Sequence, residues 1–380
     1  MKIVSMEPTP SPHSMKINVS EELPDGQNQN FKKGDDLSGA PDYIQQLFEI
    51  EGVKGIYHVA DFMALERNPK QAWEAILPQV RKVFGEEITE PETHQEVPSQ
   101  TKEAFGEVKV FLQMFRNIPM QIKLNDGTED HRVGLPEEFM QAAMEASAEV
   151  PTFVMERKWV EQSTRYGTVI EISDEVVEEL TASYGQERLN QLVAAAKEQK
   201  EAFSADTSSQ TEKLSPKIMD NPDWKARYAA LDQLDPTFAD LPLLGKALDD
   251  EKASIRRLAT AYLGMIEEPE VLPYLYKALK DKAVTVRRTA GDCLSDLGFP
   301  EAIPEMTASL SDPNRLVRWR AAMFLYEIGD ETAIPALKAA ADDPEFEVRM
   351  QVNMALERIE GGKEAKGSVW HQMTQAAKNN

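Results

Sequence analysis

The sequence predicts a multidomain protein with three folded parts: a small α/β (α+β) domain over residues 1–86, an α+β domain over 104–203 and an all-α solenoid over 218–380. Three observations predict this order. Short β-branched runs alternate with helical patterns in the first two parts, as is typical of mixed domains. Residues 86–103 and 204–217 contain proline and have no apolar period, which is typical of linkers. The rest of the chain repeats itself.

The repetition in the C-terminal part has a step of 31 residues and predicts about five units. Prolines and arginines recur at this step, as Pro242, Pro273, Pro304 and Pro335 and as Arg256, Arg287, Arg318 and Arg349. A period in this range indicates a solenoid of stacked helix pairs. Each unit begins near an aspartate that we expect to cap a helix: Asp220, Asp250, Asp281, Asp312 and Asp343. The pattern resembles HEAT repeats of the short type found in phycobilin-lyase-related proteins.

The arginine column of the repeats has two possible interpretations. We predict that Arg256, Arg287, Arg318 and Arg349 each reach an aspartate of the neighbouring unit and form a charge-assisted ladder between repeats. The alternative is that the column binds a partner.

The fourth unit carries a second stripe that is absent from the other units. Arg315, Trp319, Met323 and Tyr326 follow helical spacing on the side away from Val317 and Leu325. An aromatic and methionine stripe of this kind is what a partner groove needs. Packing against an adjacent helix is the alternative interpretation.

The first domain begins with an unusual loop that consists of Glu7, Pro8, Thr9, Pro10, Ser11 and Pro12. The alternating prolines exclude a helix and force an extended segment. The loop is either a rigid spacer that fixes the order of the strands or an exposed recognition loop. Together with Leu47-Phe48-x-Ile50-x-Gly52-Val53 and Asp61-Phe62, the loop resembles the N-terminal domain of Nfu-type iron–sulfur scaffold proteins over residues 1–86.

The Nfu resemblance implies a link to iron–sulfur metabolism, but the chain has a single cysteine, Cys293, and no Cys-x-x-Cys motif. Iron–sulfur clusters require several thiolate ligands, usually four. We therefore expect no cofactor, and we expect the first domain to keep only the partner-contacting part of the Nfu function.

The order of Nfu-like domain, middle domain and HEAT-like repeats resembles the conserved virulence factor C family of low-GC Gram-positive bacteria. This resemblance implies a cytoplasmic protein that influences virulence-factor expression or stress fitness, with no defined reaction. The function that we predict is therefore a non-catalytic scaffold for protein–protein interaction. An adaptor that docks on carriers during iron–sulfur delivery is one alternative, and an uncharacterised enzyme in residues 104–203 is another.

The charge of the chain restricts the kind of partner. With 65 acidic and 42 basic residues, the formal net charge is -23. This acidity argues against nucleic acid and against an anionic membrane surface, both of which attract lysine and arginine. It favours basic protein partners. No run approaches the roughly 20 apolar residues of a membrane span, and the sequence leaves the oligomeric state open.

No arrangement of residues in the sequence predicts catalysis or metal binding. The five histidines, which are His13, His58, His94, His131 and His371, do not show the spacing of metal ligands. The chain also has no glycine-rich phosphate loop. We therefore expect no enzyme activity and no metal site.

Overall fold

The computed structural model describes residues 1–9, 11–24, 27–86, 106–148, 150, 152–198 and 215–362. The chain divides into two units, of which one contains residues 1–105 and 337–363 and the other contains residues 106–336 and 364–380. The chain is multidomain, as predicted, but the last repeat helix belongs to the same unit as the N-terminal domain.

The N-terminal domain is a five-stranded antiparallel sheet with two helices. Its elements are β1 (Ile3–Pro8), β2 (Ser14–Val19), β3 (Asn28–Lys32), α1 (Asp42–Glu49), β4 (Val53–Val59), β5 (Phe62–Arg67) and α2 (Trp73–Val83). The order of the strands is β1-β2-β5-β4-β3. Alternate side chains of β2 enter the core, where they meet the apolar stripes of both helices. Alternation over residues 56–59 and 62–65 predicts a hairpin around Ala60 and Asp61. Strands β4 and β5 form this hairpin, with Ala60 at a positive φ in its turn.

Strand β3 has no counterpart among the strands that the sequence predicts for this domain, which cover residues 3–6, 15–19, 56–59 and 62–65. Its sequence is Asn-Gln-Asn-Phe-Lys, in which only Phe31 packs against the core. Polar residues of this kind have low strand propensity. The strand forms because its backbone pairs with β4, which is a tertiary effect that local sequence does not encode.

The middle domain is a four-stranded antiparallel sheet with its helices packed on one face. Its elements are β6 (Glu107–Phe115), β7 (Ile118–Asn125), β8 (Asp130–Gly134), α3 (Glu137–Ser147), α4 (Phe153–Glu156), β9 (Lys158–Tyr166), α5 (Val169–Ser183) and α6 (Gln186–Lys197). The order of the strands is β8-β7-β6-β9. One face of β6 and β7 shares a core with α3, α5 and α6.

One predicted element of the middle domain is wrong in part. The alternation over residues 153–162 predicted a single strand, but residues Phe153–Glu156 form the short helix α4 before β9 begins. The helical turn brings the Phe153 ring to 4.8 Å from the Phe115 ring, and Arg116 Nε donates to Glu156 Oε2 at 2.7 Å. These two contacts outweigh the weak local preference for a strand.

The repeats consist of short and long helices in alternation, as the period predicted. They are α7 (Trp224–Asp232), α8 (Leu241–Ala247), α9 (Ala253–Gly264), α10 (Leu272–Ala278), α11 (Val284–Leu297), α12 (Ile303–Ser309), α13 (Arg315–Glu327), α14 (Ile334–Ala339) and α15 (Phe346–Glu360). Pro242, Pro273, Pro304 and Pro335 each occupy the second residue of a short helix, where a missing N–H costs little. Among the described residues, no helix combines the length and the hydropathy needed to cross a membrane.

The predicted aspartate caps lie outside the helices that they were expected to cap. Helix α9 begins after its N-cap residue Lys252, and helix α11 begins after its N-cap residue Ala283. The Asp250 and Asp281 carboxylates instead accept the backbone N–H of these two N-cap residues, at 2.9 and 2.7 Å. This shift of two residues leaves each carboxylate free to bind a second donor. The sequence around Val369, Trp370 and Met373 predicts an amphipathic stretch that caps the stack of repeats, but these residues fall outside the described part of the chain.

Candidate protein-interaction surfaces

An arginine–aspartate ladder joins successive repeats. Arg256 donates through Nε and Nη2 to Asp281 at 2.7 and 2.9 Å, and Arg287 donates in the same way to Asp312 at 2.7 and 3.0 Å. The Nη1 group of each arginine donates to backbone carbonyls of its own repeat, such as that of Asp250 at 2.8 Å. Each guanidinium thus ties the loop of one repeat to the loop of the next.

The last member of the predicted column, Arg349, has a different side-chain partner from Arg256 and Arg287. Arg318 Nη1 donates to the carbonyls of Asp312 and Pro313. Arg349 donates to the Asp343 carbonyl and, through Nη2, to Glu74 of the N-terminal domain at 2.8 Å, so its side-chain partner is not an aspartate of a repeat. This difference arises because α15 is the last repeat helix among the described residues.

Sequence analysis missed a further member of the ladder, Arg227. Its guanidinium pairs with Asp250 in the same bidentate geometry, at 2.7 and 3.0 Å. The step of 31 residues back from Arg256 leads to Lys225 instead, because the first repeat is two residues shorter between these points. The signal that identifies Arg227 is its i+4 relation to Asp223, the N-cap residue of α7.

The predicted partner groove of the fourth unit is wrong as an exposed surface. Trp319 and Met323 are only 3% and 2% exposed, and Arg315 and Tyr326 are half-buried. Helix α13 carries buried apolar side chains around most of its circumference, including Ala321 and the residues that follow it. A helix that is apolar on most sides is a buried helix. The alternative of packing within the fold therefore explains the stripe.

A second row of arginines in the repeats contacts the middle domain. Glu179 on α5 accepts hydrogen bonds from Arg165 of β9 at 2.6 Å and from Arg257 of α9 at 2.8 Å. Burial alone raises the pKa of Glu179, but the two guanidinium groups overcome this effect and hold it below its ordinary value. A charged carboxylate between two arginines therefore fixes the middle domain to the repeats.

The same row continues on the next two long helices. The Arg288 guanidinium carbon lies 3.4 Å from the centroid of the Tyr166 ring, and Arg288 also donates to Asp292 at 3.0 Å. Arg320 Nε lies 2.7 Å from the other Asp292 oxygen. Burial raises the pKa of Tyr166 to about 12, so this ring stays neutral beside the cation. The arginine face of α9 and α11 is thus occupied by the protein's own middle domain.

An acidic edge runs along the connections that lead from each long helix to the short helix after it. The connections are residues 233–240, 265–271, 298–302 and 328–333, and none of them contains lysine or arginine. Their exposed acidic residues are Asp235, Glu267, Glu268, Glu270, Glu301, Asp330 and Glu331. Phe238 and Met265, which are 52% and 61% exposed, add apolar surface to the same connections.

The proline loop of the first domain is held by its neighbours. Pro8 pairs with Met15 at the end of β1, and Thr9 Oγ1 donates to the carbonyls of Ser11 and Ser14 at 3.1 Å. The Pro12 carbonyl accepts the Trp73 indole N–H at 2.9 Å. Glu7 accepts from Asn18 at 3.0 Å, whereas Pro10 lies outside the described residues. These contacts favour the interpretation of the loop as a rigid spacer.

The described histidines and the cysteine have different surroundings. Burial, with Arg67 and Lys54 nearby, lowers the pKa of His13 to about 3. Buried His58 shares a hydrogen bond of 2.8 Å with the Tyr43 hydroxyl. The Cys293 thiol donates to the Thr260 carbonyl at 3.5 Å, and burial raises its pKa. Within the described ranges, no three His, Cys, Asp or Glu side chains are placed to hold a metal ion.

Helix α15 contacts the N-terminal domain through apolar and charged side chains. Phe346 and Met350 pack against the core of that domain. Arg67 Nη2 donates to Glu347 Oε1 at 2.8 Å, with both side chains largely buried. Together with the pair of Arg349 and Glu74, these contacts make α15 a part of the N-terminal unit.

These observations define a class of protein: a HEAT-type repeat protein that carries two further α/β-type domains. Three family models match the chain, described as scaffold protein Nfu/NifU N terminal over residues 4–91, virulence factor over 113–193, and HEAT repeats over 211–290 and 277–357. The chain belongs to the conserved virulence factor C family. Conserved virulence factor C of Staphylococcus aureus (strain COL) is 48% identical over 381 residues, which cover 98% of this chain and 99% of the relative.

Two further proteins are similar to this chain. The uncharacterized protein YpgR of Bacillus subtilis (strain 168) is 58% identical over 378 residues, which cover 100% of this chain and 99% of that protein. The crystal structure of protein SAV1430 from Staphylococcus aureus is 38% identical and covers 22% of this chain and 99% of its own, with a TM-score of 0.21.

Proposed function

We propose that the protein is a non-catalytic scaffold that holds protein partners and thereby influences virulence-factor expression or stress fitness. The observation that carries this proposal is the acidic edge of the repeats defined above. Membership of a virulence factor family and the presence of HEAT repeats, which are common protein-interaction modules, support the same role.

The acidic edge is suited to basic partners. Four successive connections present exposed carboxylates and contain no lysine or arginine, and such a surface attracts basic proteins and repels nucleic acid. The ladder of Arg227, Arg256 and Arg287 joins the loops at the opposite ends of the long helices, and it thereby fixes the spacing of the helices that these connections follow. Exposed Phe238 and Met265 supply apolar anchors among the carboxylates.

The scaffold role is tested by co-purification from native extract with matched charge variants. One variant reverses four charges of the edge, through Glu267→Lys, Glu270→Lys, Glu301→Lys and Glu331→Lys. The control reverses four exposed acidic residues elsewhere, through Glu22→Lys, Asp61→Lys, Glu129→Lys and Glu187→Lys. We expect partners to be lost from the edge variant and kept by the control. Equal recovery with both variants would refute binding at the edge.

A second candidate function is an adaptor that docks on carriers of iron–sulfur clusters without holding a cluster. The match to the Nfu/NifU N-terminal model over residues 4–91 favours this candidate. Titration of a cluster-loaded carrier, followed by size-exclusion chromatography at the visible absorbance of the cluster, tests it. The adaptor role requires a complex whose absorbance comes entirely from the carrier. Visible thiolate–iron bands in the protein alone after anaerobic reconstitution would contradict an adaptor without a cluster.

A further inference from the structure

Lysine and arginine are confined to one end of the helices in the repeats. In residues 224–339, every lysine and arginine lies in the first two turns of a long helix, in the last turn of a short helix, or in the loop that joins a short helix to the next long one. The acidic edge lies at the other end, because its connections follow the last residues of the long helices. The cations and the acidic edge therefore lie toward opposite ends of the long helices.

One cation of the middle domain approaches the first connection, and it is already paired. Arg188 Nη1 donates to Ser183 Oγ at 2.7 Å and to Asp232 Oδ2 at 3.5 Å, and Asp232 is the last residue of α7. Among the residues that the structure describes, no lysine or arginine pairs with a carboxylate of the acidic edge. The local charge of the edge is therefore negative, and a ligand for it must be cationic.

Two exposed apolar side chains lie among these carboxylates on successive connections. Phe238 lies between α7 and α8 and is 52% exposed, and Met265 lies between α9 and α10 and is 61% exposed. Asp235 precedes Phe238 by three residues, and Glu267 and Glu268 follow Met265 within three. Docking sites commonly combine apolar anchors with a polar rim. The ligand must therefore offer apolar side chains as well as cations.

Successive repeats stack closely, which sets the spacing along the edge. A Cβ atom at Gly264 of α9 would overlap Cys293 Sγ of α11, and a Cβ atom at Gly245 of α8 would overlap the Tyr274 ring of α10. Packed helices of this kind have axes about 8–10 Å apart. Equivalent positions of successive connections therefore recur at about this interval.

Hydrogen bonds between repeats hold the connections in place. The Tyr262 hydroxyl donates to the Asp232 carbonyl at 3.2 Å, next to the first connection, and the Tyr276 hydroxyl donates to the Glu301 carbonyl at 2.9 Å within the third. Each bond joins two successive repeats. A surface that is ordered in this way lowers the entropic cost of binding.

A helix matches this interval better than an extended strand does. Seven residues of helix rise about 10.5 Å and return the side chain to nearly the same face. On one face of a strand, side chains recur at about 6.6 Å and again at about 13 Å. A polyproline helix repeats at about 9.3 Å, but it turns only one side chain in three toward a surface. A helix presents cations and apolar side chains next to each other, three or four residues apart.

We propose that the acidic edge binds a basic amphipathic helix of a partner protein. The helix lies across the stack, and two of its apolar side chains, seven residues apart, contact Phe238 and Met265. Lysine or arginine side chains at the same interval pair with Glu270 and Glu301 on successive connections. The proposal rests on the scaffold function, because it names the kind of basic partner that the same edge selects.

Fluorescence anisotropy with the full chain tests the proposal. The probe is a fluorescein-labelled 21-residue peptide of alanine and glutamine that carries lysine and leucine at intervals of seven. The control peptide has the same composition with intervals of five, and circular dichroism checks that both peptides are helical. The edge variant combines Glu270→Gln, Glu301→Gln and Glu331→Gln. The matched control makes the same change at three exposed glutamates elsewhere, through Glu22→Gln, Glu129→Gln and Glu161→Gln.

We expect the wild type to bind the heptad peptide about tenfold or more tightly than the control peptide, because only the heptad peptide turns all its cations toward the edge. The edge variant should lose about tenfold or more in affinity for the heptad peptide, and the control variant should stay within about twofold of the wild type. A variant that combines Phe238→Ser with Met265→Ser should also bind the heptad peptide more weakly, because it removes the apolar anchors.

Equal affinity of the wild type for the two peptides would overturn the proposal, as would equal affinity of the edge and control variants for the heptad peptide. Tighter binding of a proline-rich peptide with lysine at every third residue would also overturn it. The failure of this inference is distinct from a failure of the scaffold function. Equal binding of the two helical peptides would exclude the spacing, whereas the scaffold function is tested by partners that co-purify through the edge.

Discussion

Arg67 and Glu347, which are 280 residues apart in the chain, form an ion pair of 2.8 Å in which the Arg67 side chain is only 3% exposed. Arg67 ends strand β5 and Glu347 lies in the first turn of α15. Arg67 Nη1 also donates to the Gln71 carbonyl at 2.8 Å, and its guanidinium lies 5.1 Å from the centroid of the Trp73 ring. Arg67 therefore links a strand, a helix and a distant repeat helix within one unit.

Removal of the Glu347 carboxylate should destabilise the N-terminal unit strongly. Glu347→Ala leaves the buried Arg67 cation without its carboxylate, and breaking a buried pair in this way costs about 3–5 kcal/mol. Thermal unfolding followed by tryptophan fluorescence measures the effect. Glu74→Ala serves as the control because its pair with Arg349 is much more exposed than the pair of Arg67 and Glu347, and exposed pairs contribute about 0–1 kcal/mol. A similar fall in melting temperature for the two variants would contradict a special role of the buried pair.

The pairing of Arg67 with Glu347 could not be predicted from the sequence. Both residues are ordinary charged residues within their own elements, and no local pattern links two positions so far apart. Periodicity, in contrast, predicted the stacked helices well, because Pro273, Arg287 and their equivalents recur at the same spacing in successive repeats. It failed at Arg227, where a change of two residues in loop length moves the arginine out of the column without changing its contacts.

Local sequence was also insufficient to predict which side chains are covered and which lie side by side on a surface. A helical stripe at Trp319 indicates a face but not what covers it, and its burial became visible only in the fold. The contacts of Lys123 with the Phe111 and Trp159 rings were missed for a related reason. Alternation in β6 predicts two faces, but only strand register places Lys123 and Trp159 beside Phe111.

The ladder arginines should matter more for stability than for partner binding. In Arg256→Ala, the Asp281 carboxylate loses both guanidinium donors. Because the pair is largely buried, we expect the free energy of unfolding to fall by about 3 kcal/mol. Arg318→Ala should likewise lower the melting temperature more than it changes partner recovery. Arg256→Lys should restore only part of the stability, because an ammonium group cannot form the bidentate pair. Unchanged melting together with lost binding would refute a structural role for the column.

The pair of Arg256 and Asp281 also predicts a loss of stability in acid. Burial raises the pKa of Asp281, but hydrogen bonds from Arg256 and the Ala283 N–H outweigh burial and hold it below its ordinary value of about 3.9. A carboxyl group whose pKa is lowered by folding contributes stability above its unfolded pKa, and this contribution disappears as the pH falls through the folded pKa. The melting temperature of the wild type should therefore fall below about pH 4, and Asp281→Asn should show a shallower fall. Identical slopes for the two proteins would exclude this residue as a source of the acid sensitivity.

Gly264 and Cys293 provide a test of packing between two successive long helices. A Cβ atom at Gly264 would lie 2.4 Å from Cys293 Sγ and 2.7 Å from Cys293 Cβ, which is far closer than side chains approach. The Gly264→Ala variant must therefore force α9 and α11 apart, and overpacking of this kind typically costs about 1–3 kcal/mol. Cys293→Ala removes the sulfur that makes the shorter contact.

The double variant Gly264→Ala/Cys293→Ala should be less destabilised than the sum of the two single variants, because the two positions are in direct contact. Gly134→Ala is the control, since its added methyl group meets nothing within 4 Å. The same variants can be probed with a thiol reagent. The buried Cys293 of the wild type, whose pKa is raised by burial, should react only after unfolding, whereas in Gly264→Ala it should react under native conditions. Strict additivity of the two substitutions would show that α9 and α11 do not pack as closely as this glycine implies.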